Sequence, residues 1–387
     1  MKYSVYSKSA LVHAAAVTAL LACSTMVMAV PVFTVTNLVT DDQTAHAAQR
    51  TDPGLINAWG ISSSPTGPFW ISSNGAGTSP LYSVNPITQS TSKLGLTVSI
   101  PGDGSVTGQT FNGGGATSFN GDLFLFTSED GTVSGWRGAL GTTAETLVSA
   151  SPDNVYKGAA LGTIGSDHYL YTANFRSGAV DVFKGNNAEP NLAGNFTDPN
   201  LPAGYAPFNV QVLNGVVYVT YAVQDASKSD EVAGAGLGLV NSFDLNGNLI
   251  GRIGSGGSLD APWGLAIAPN SFGALAGALL VGNFGDGRIN AFDLATNAFL
   301  GQIQDANSQQ PVSIDGLWAI ATGNDGLAGS SQSLYFTAGP DEESHGLFGV
   351  IGSVPEPTTL ALLFVAVLAA IGAGSRRRTT SRLSLAA

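Results

Sequence analysis

Oxygen-bearing side chains at recurring positions are the residues of this chain best suited to chemistry. Asn57, Asp260 and Asp315 each precede a short apolar run, and Asn74, Asn174, Asp225 and Asn283 each follow one. If those runs are strands arranged around a common axis, the seven side chains meet at one mouth of a central channel. Amide and carboxylate oxygens converging on an axis suit Ca²⁺, a hard cation that takes roughly six to eight oxygen ligands. Asn and Asp also close turns through purely local hydrogen bonds, so every one of these positions has a second explanation that needs no ligand.

The other reactive residues are scattered. Of the four histidines, His13 lies in the N-terminal apolar stretch, while His46, His168 and His345 are too far apart in sequence for a local zinc motif. His345 follows Asp341-Glu342-Glu343, which reads either as a solvated turn or as a site for a cation or a general acid. No Gly-x-Ser-x-Gly elbow occurs. The single cysteine, Cys23, also falls in the N-terminal stretch, so the domain beyond it has neither a thiol nucleophile nor a disulfide. Gly234-Ala235-Gly236-Leu237-Gly238 lacks the full dinucleotide fingerprint and reads as a loop. Gly113-Gly114-Gly115 reads as a turn leading into a repeat. Asp244-Leu245-Asn246-Gly247-Asn248 has the opening of a Ca²⁺ loop without its distal Glu. Asn195-Phe196-Thr197 fits a glycosylation sequon.

The elements that must position these residues are strands. Gly supplies 50 of 387 residues and charged side chains only 11%. Such a composition suits short strands and tight turns, because Gly reaches the positive φ that turns require, and it suits helices poorly. Trp59-Gly60-Ile61 opens a pattern repeated at Trp263-Gly264-Leu265 and Leu317-Trp318-Ala319, with weaker counterparts near Ala116, Gly158 and Phe208. The spacing of about 40 to 60 residues is that of a propeller blade. Two units are clear relatives: Asn174-Phe175 leads through Gly178 into Val180–Phe183, and Asn283-Phe284 leads through Gly287 into Ile289–Asp293. Asn246-Gly247 favours a two-residue primed hairpin turn. Four strands per unit and six units predict an all-β, six-bladed β-propeller. The last unit lacks an outer strand, and the alternating Phe33–Val39 is expected to supply it and close the ring, removing exposed sheet edges. Trp59, Trp263 and Trp318 are expected to pack between blades rather than bind.

Both ends read as addresses. Residues 1–29 form a signal peptide: Lys2 and Lys8, an apolar run from Ala10 to Ala22, and a cleavage site at Val27-Met28-Ala29. Leu20-Leu21-Ala22-Cys23 offers lipoprotein processing as the alternative. Residues 354–387 form a tail in which Val354-Pro355-Glu356-Pro357 precedes an apolar run and then Arg376-Arg377-Arg378. The run reaches the lower limit for a membrane span, with the arginines on the cytoplasmic side. The net charge is −12. Between the two addresses roughly 26 acidic side chains face 9 basic ones, which excludes nucleic acid as a partner.

The tail, with Pro355, Glu356 and Pro357 as its motif, resembles the PEP-CTERM sorting signal of Gram-negative bacteria. That resemblance implies recognition by an exosortase and delivery to the cell envelope or the exterior. The span from Asn37 to Ile351 resembles an uncharacterised PEP-CTERM propeller family, and in fold is similar to NHL-repeat and gluconolactonase-like propellers. The gluconolactonase resemblance implies a metal held by Asp315 or Asp260 with Asn174 and Asn283, although no Glu opens the first blade to match the usual ligand. Two functions follow: a surface module that binds a glycan, a matrix polymer or an envelope protein, with no catalysis, or a metal-dependent lactonase or hydrolase.

Overall fold

The computed structural model describes residues 31–354. The signal peptide and sorting tail expected at 1–29 and 354–387 lie outside the described residues, Val354 excepted. The runs read as strands form six sheets, the antiparallel blades of a β-propeller, with two short parallel pairings added at the sixth. The innermost strands are Ala58–Ser63, Val106–Phe111, Tyr156–Ile164, Tyr205–Leu213, Pro262–Ile267 and Leu317–Thr322. Each packs against the next, and the last packs against the first, so the ring is closed.

Glycine stands where neighbouring inner strands approach most closely. A Cβ on Gly60 would stand 2.5 Å from the Thr107 carbonyl oxygen, and one on Gly108 would stand 2.5 Å from the Ala159 nitrogen. Further out, each blade is covered on both faces by its neighbours. Apolar runs such as Tyr169-Leu170-Tyr171 are therefore buried throughout rather than at alternate positions.

Val32–Thr40 pairs antiparallel with Leu347–Ser353, from Phe33 opposite Ser353 to Thr40 opposite Leu347, with a bulge between Asn37 and Val39. The first described strand therefore becomes the outer strand of the sixth blade, as expected from Phe33–Val39. Phe33 is fully buried, its ring 4.4 Å from Phe272 of the fifth blade, so the clasp is held by packing as well as by its hydrogen-bond ladder.

Three details differ from the sequence reading. The second blade begins at Val106–Phe111, not near Ala116. Ala116 and Gly115 sit in a short 3-10 turn that follows this strand, so Gly113-Gly114-Gly115 leaves the inner strand instead of leading into it. The third blade has only Tyr156–Ile164, Asp167–Asn174 and Ala179–Lys184. The chain beyond carries Pro190, Pro199 and Pro202, which cannot donate to a ladder, and it crosses to the fourth blade, where Gly194 and Phe196 donate to Asn246 and Gly247. Lastly, Asn246-Gly247 is not a two-residue primed turn. Only Gly247 takes a positive φ (83°), and the loop closes by the Asp244 N–H to the Asn248 carbonyl, the three-residue form with a bulge.

Candidate functional site

The turns that open the inner strands and close the second strands meet at one end of the channel. Its floor is aromatic. Trp59, Trp263 and Trp318 stand at the starts of their inner strands and touch one another: Trp59 stacks on Trp318 at 3.6 Å, and Trp263 meets both edge-on at 6.4 and 6.1 Å. Phe284 also stacks on Trp318, at 4.0 Å. These side chains pack, as expected, but they do so on the axis instead of between blades, and they plug the channel with apolar rings.

A charged layer lies against the plug. Lys157, at the start of the third blade, is only 1% exposed, with its ammonium 2.5 Å from Glu129 Oε1 and 3.1 Å from Asp230 Oδ1. The same Nζ lies 5.1 Å from the centre of the Trp59 ring, within the range of a cation–π contact. Burial alone would lower the Lys157 pKa; the charges of Glu129, Glu231 and Asp230 outweigh it and raise the pKa. Glu231 is pushed up to about 7, by burial first, against the pull of Lys157. Burial likewise raises Glu343.

Glu343 reaches this layer from a strained loop. Asp341, Glu342 and Glu343 are three consecutive non-glycine residues with left-handed φ of 55°, 55° and 64°, a conformation costing roughly 1–2 kcal/mol per residue. The loop is held by the Asp341 N–H to Asp315 Oδ2 at 2.9 Å and the Glu343 N–H to the Gly339 carbonyl at 3.1 Å. Strain of this kind is concentrated at functional sites. Here it carries the Glu343 carboxylate to Asn57 Nδ2, 2.6 Å away.

Asn57 and Asn74 belong to the same layer. Asn57 Oδ1 accepts from the Trp318 indole at 2.8 Å, its Nδ2 also reaches Asn74 Oδ1, and Asn74 Nδ2 donates to Glu129 Oε2 at 3.2 Å. The other five residues of the sequence-based set are engaged by their own or neighbouring loops. Asn174 donates to Asn154 and Asp181 and accepts from Val155 and Ser177. Asn283 donates through Nδ2 to the Ser258 carbonyl and to Asp286, while its buried Oδ1 has no hydrogen-bond partner among the described residues. Asp225 accepts from the Ser227 hydroxyl and from two backbone N–H groups, which lower its pKa to about 2. Asp260 accepts from the Gly234 N–H and is raised by burial. Asp315 is exposed and braces the strained loop. Asp315, Asp260, Asn174 and Asn283 thus make no common ligand set. Among the described residues no group of three or more His, Cys, Asp or Glu side chains could hold a metal ion. On the axis, the Lys157 ammonium is the cation that the carboxylates surround. The residues present do not fit a bound Ca²⁺.

Folding also joins two histidines that are remote in sequence. His46 and His345 approach to 5.9 Å between ring centres. Each bonds an aspartate at 2.9 Å, His46 to Asp341 and His345 to Asp41. The pairs clip the end of the closing strand to the strained loop.

No protein-family profile matches the chain. Three curated proteins of Acanthamoeba polyphaga mimivirus do, two of them over most of the chain. Uncharacterized protein R648 is 32% identical over 336 residues, covering 81% of this chain and 79% of that protein. Uncharacterized protein L690 is 30% identical over 321 residues, covering 78% and 81%. The chain belongs to this family of uncharacterized proteins. Among solved structures, the α-L-arabinofuranosidase arb93a of Fusarium graminearum, in complex with an iminosugar inhibitor, shares the fold with a TM-score of 0.54. That likeness covers 83% of this chain and 98% of that one, and at 12% identity it speaks to the fold alone. Among the described residues no helix is long and apolar enough to cross a membrane.

The residues that sequence reasoning missed are Lys157, Glu129, Asp230 and Glu231. A signal for two of them was present. Lys157 directly precedes the Gly158 anchor in a chain with few basic residues. Glu129 follows its second strand at the position Asn74 holds in the first blade, and only the misplaced start of the second blade concealed the match.

Proposed function

We propose that this protein is a binding module without a catalytic centre, and that the acidic loop face around the plugged channel mouth engages a partner carrying cationic groups. The observation that carries this reading is the Lys157 cluster: the buried ammonium is matched internally by Glu129 and Asp230, so the place on the axis that a metal cation would take is already filled. Around it, Asp153, Asp230 and Glu342 remain exposed. Of the partners expected from sequence, an envelope protein or matrix polymer with basic groups suits this face better than a neutral glycan, since all five tryptophans are buried and none provides a stacking platform there.

The address belongs to the same proposal. The Pro355-Glu356-Pro357 motif, the apolar run and the terminal arginines support export, exosortase processing and residence in the envelope or outside the cell; this part rests on the sequence motif alone.

The test of the binding reading is titration with a lysine decapeptide at several salt concentrations. Binding that weakens with salt, and weakens further in the Asp153→Asn, Glu342→Gln double variant, supports it. Salt-independent binding, or binding unchanged in that variant, would reject it.

A further inference from the structure

Among the described residues the third blade is the one sheet that stops at three strands, and no strand pairs with the outer side of Ala179–Lys184. The direction of its backbone groups follows from the ladder. Gly185 N–H donates to the His168 carbonyl, so in the antiparallel pairing of Asp167–Asn174 with Ala179–Lys184 the alternate residues Val180, Val182 and Lys184 turn N–H and C=O outward. Among the described residues no backbone group pairs with them. Beside this edge lies a cleft of about 690 Å³, bounded by Leu147 and Val148 of the second blade, by Phe119, and by Val182 and Phe183.

We propose that this edge and cleft form a binding site for an extended peptide of a partner protein, which adds as the missing fourth strand. Three features fix the occupant. A row of outward N–H and C=O groups is satisfied in register only by another strand's backbone. The apolar walls take side chains from alternate positions of that strand. The only charged residue lining the cleft is Lys184, although the domain is strongly acidic, so the peptide carries a carboxylate near the end that meets Lys184. The fold already uses strand addition once, at the sixth blade, where Val32–Thr40 supplies the outer strand from a distant part of the chain.

The probe is a capped synthetic peptide copying residues 142–149, the outer strand of the adjacent blade with its flanks, which contains Glu145, Leu147 and Val148. Fluorescence anisotropy with the full-length protein should show saturable binding, and hydrogen exchange should slow at Val180, Val182 and Lys184. Val182→Pro removes one outward donor and leaves the inner ladder intact. It should weaken binding about tenfold, the worth of one hydrogen bond and its neighbours; because the half-buried Val182 packs against the blade core, Lys184→Glu is the companion variant that leaves this packing in place. Lys184→Glu should weaken binding of this acidic peptide as well. If the amides of Val180 and Val182 are already protected in the free protein, or if Val182→Pro binds as well as the parent, the proposal fails. A dimer in solution that Val182→Pro dissolves would overturn it in favour of a second copy of this chain.

Discussion

Replacing Lys157 by Met should expose the central role of the buried ammonium. The pair with Glu129 joins a side chain 1% exposed to one 27% exposed, whereas Asp230 is 70% exposed. The Asp230 pair is therefore screened and contributes well under 1 kcal/mol, and most of the effect comes from the inner carboxylates left without a cation. Removing one partner of a buried pair costs about 3–5 kcal/mol; because Glu129 is partly solvated, the lower end, about 3 kcal/mol, is expected near pH 8. The sign with pH follows from the carboxylates. Glu231 and Glu343, whose pKa values burial raises, take up protons first as the pH falls, so part of the uncompensated charge disappears and the penalty is smaller at pH 4.5 than at pH 8. In the parent, the raised Lys157 pKa means that its contribution is fully present below the ordinary lysine value and is lost only as pH rises through the higher folded value. Urea unfolding of parent and Lys157→Met, followed by tryptophan fluorescence at pH 8 and pH 4.5, reads both numbers. A variant as stable as the parent at pH 8, or one with a larger loss at pH 4.5, would refute the reasoning.

Three further outcomes follow from the same geometry. Glu231→Gln should stabilise the protein above pH 7, by at most about 3 kcal/mol, and do nothing below pH 4.5: its folded pKa is raised from 4.5 to about 7, so its ionisation costs stability across that window, and denaturant curves at both ends check it. Phe33→Ala should cost about 3–5 kcal/mol and speed amide exchange across Leu347–Ser353, because the clasp loses its buried anchor against Phe272. His345 should titrate above 6.5, held up by its hydrogen bond to Asp41, so its contribution to stability is present below pH 6.5 and fades as pH rises through the folded value; a proton NMR titration should find Asp41→Asn returning it towards 6.5.

What could be read from the sequence and what could not divide along physical lines. The propeller and its closing strand are legible because strand alternation recurs from blade to blade and because Asn-Phe-to-Gly spacing and Trp-Gly pairs, each present in two blades, are local patterns. The missing outer strand of the third blade was less so, although Pro190, Pro199 and Pro202 marked the place. Within the site, Asn57 and Asn74 reach the axial layer, whereas Asn174 and Asn283 have the same sequence context and turn back into their own loops. The difference lies in which acceptors fold alongside them, Asp181 for Asn174 and Asp286 for Asn283. Lys157 joins Glu129 across 28 residues and Asp230 across 73, and pairings at such separations leave no periodic trace. The left-handed run Asp341-Glu342-Glu343 looked like an ordinary acidic turn, since backbone strain is set by the contacts that enforce it and not by residue type.

The most direct test of the account is calorimetric titration of the purified protein with Ca²⁺, alongside metal analysis of the protein as isolated. Because the Lys157 ammonium already fills the axial position among the carboxylates, the account predicts no stoichiometric ion and no saturable heat, with Asp315→Ala behaving as the parent. One tightly bound ion per chain, lost on Asp315→Ala or Asn174→Ala, would contradict it and return the protein to the metal-dependent hydrolases.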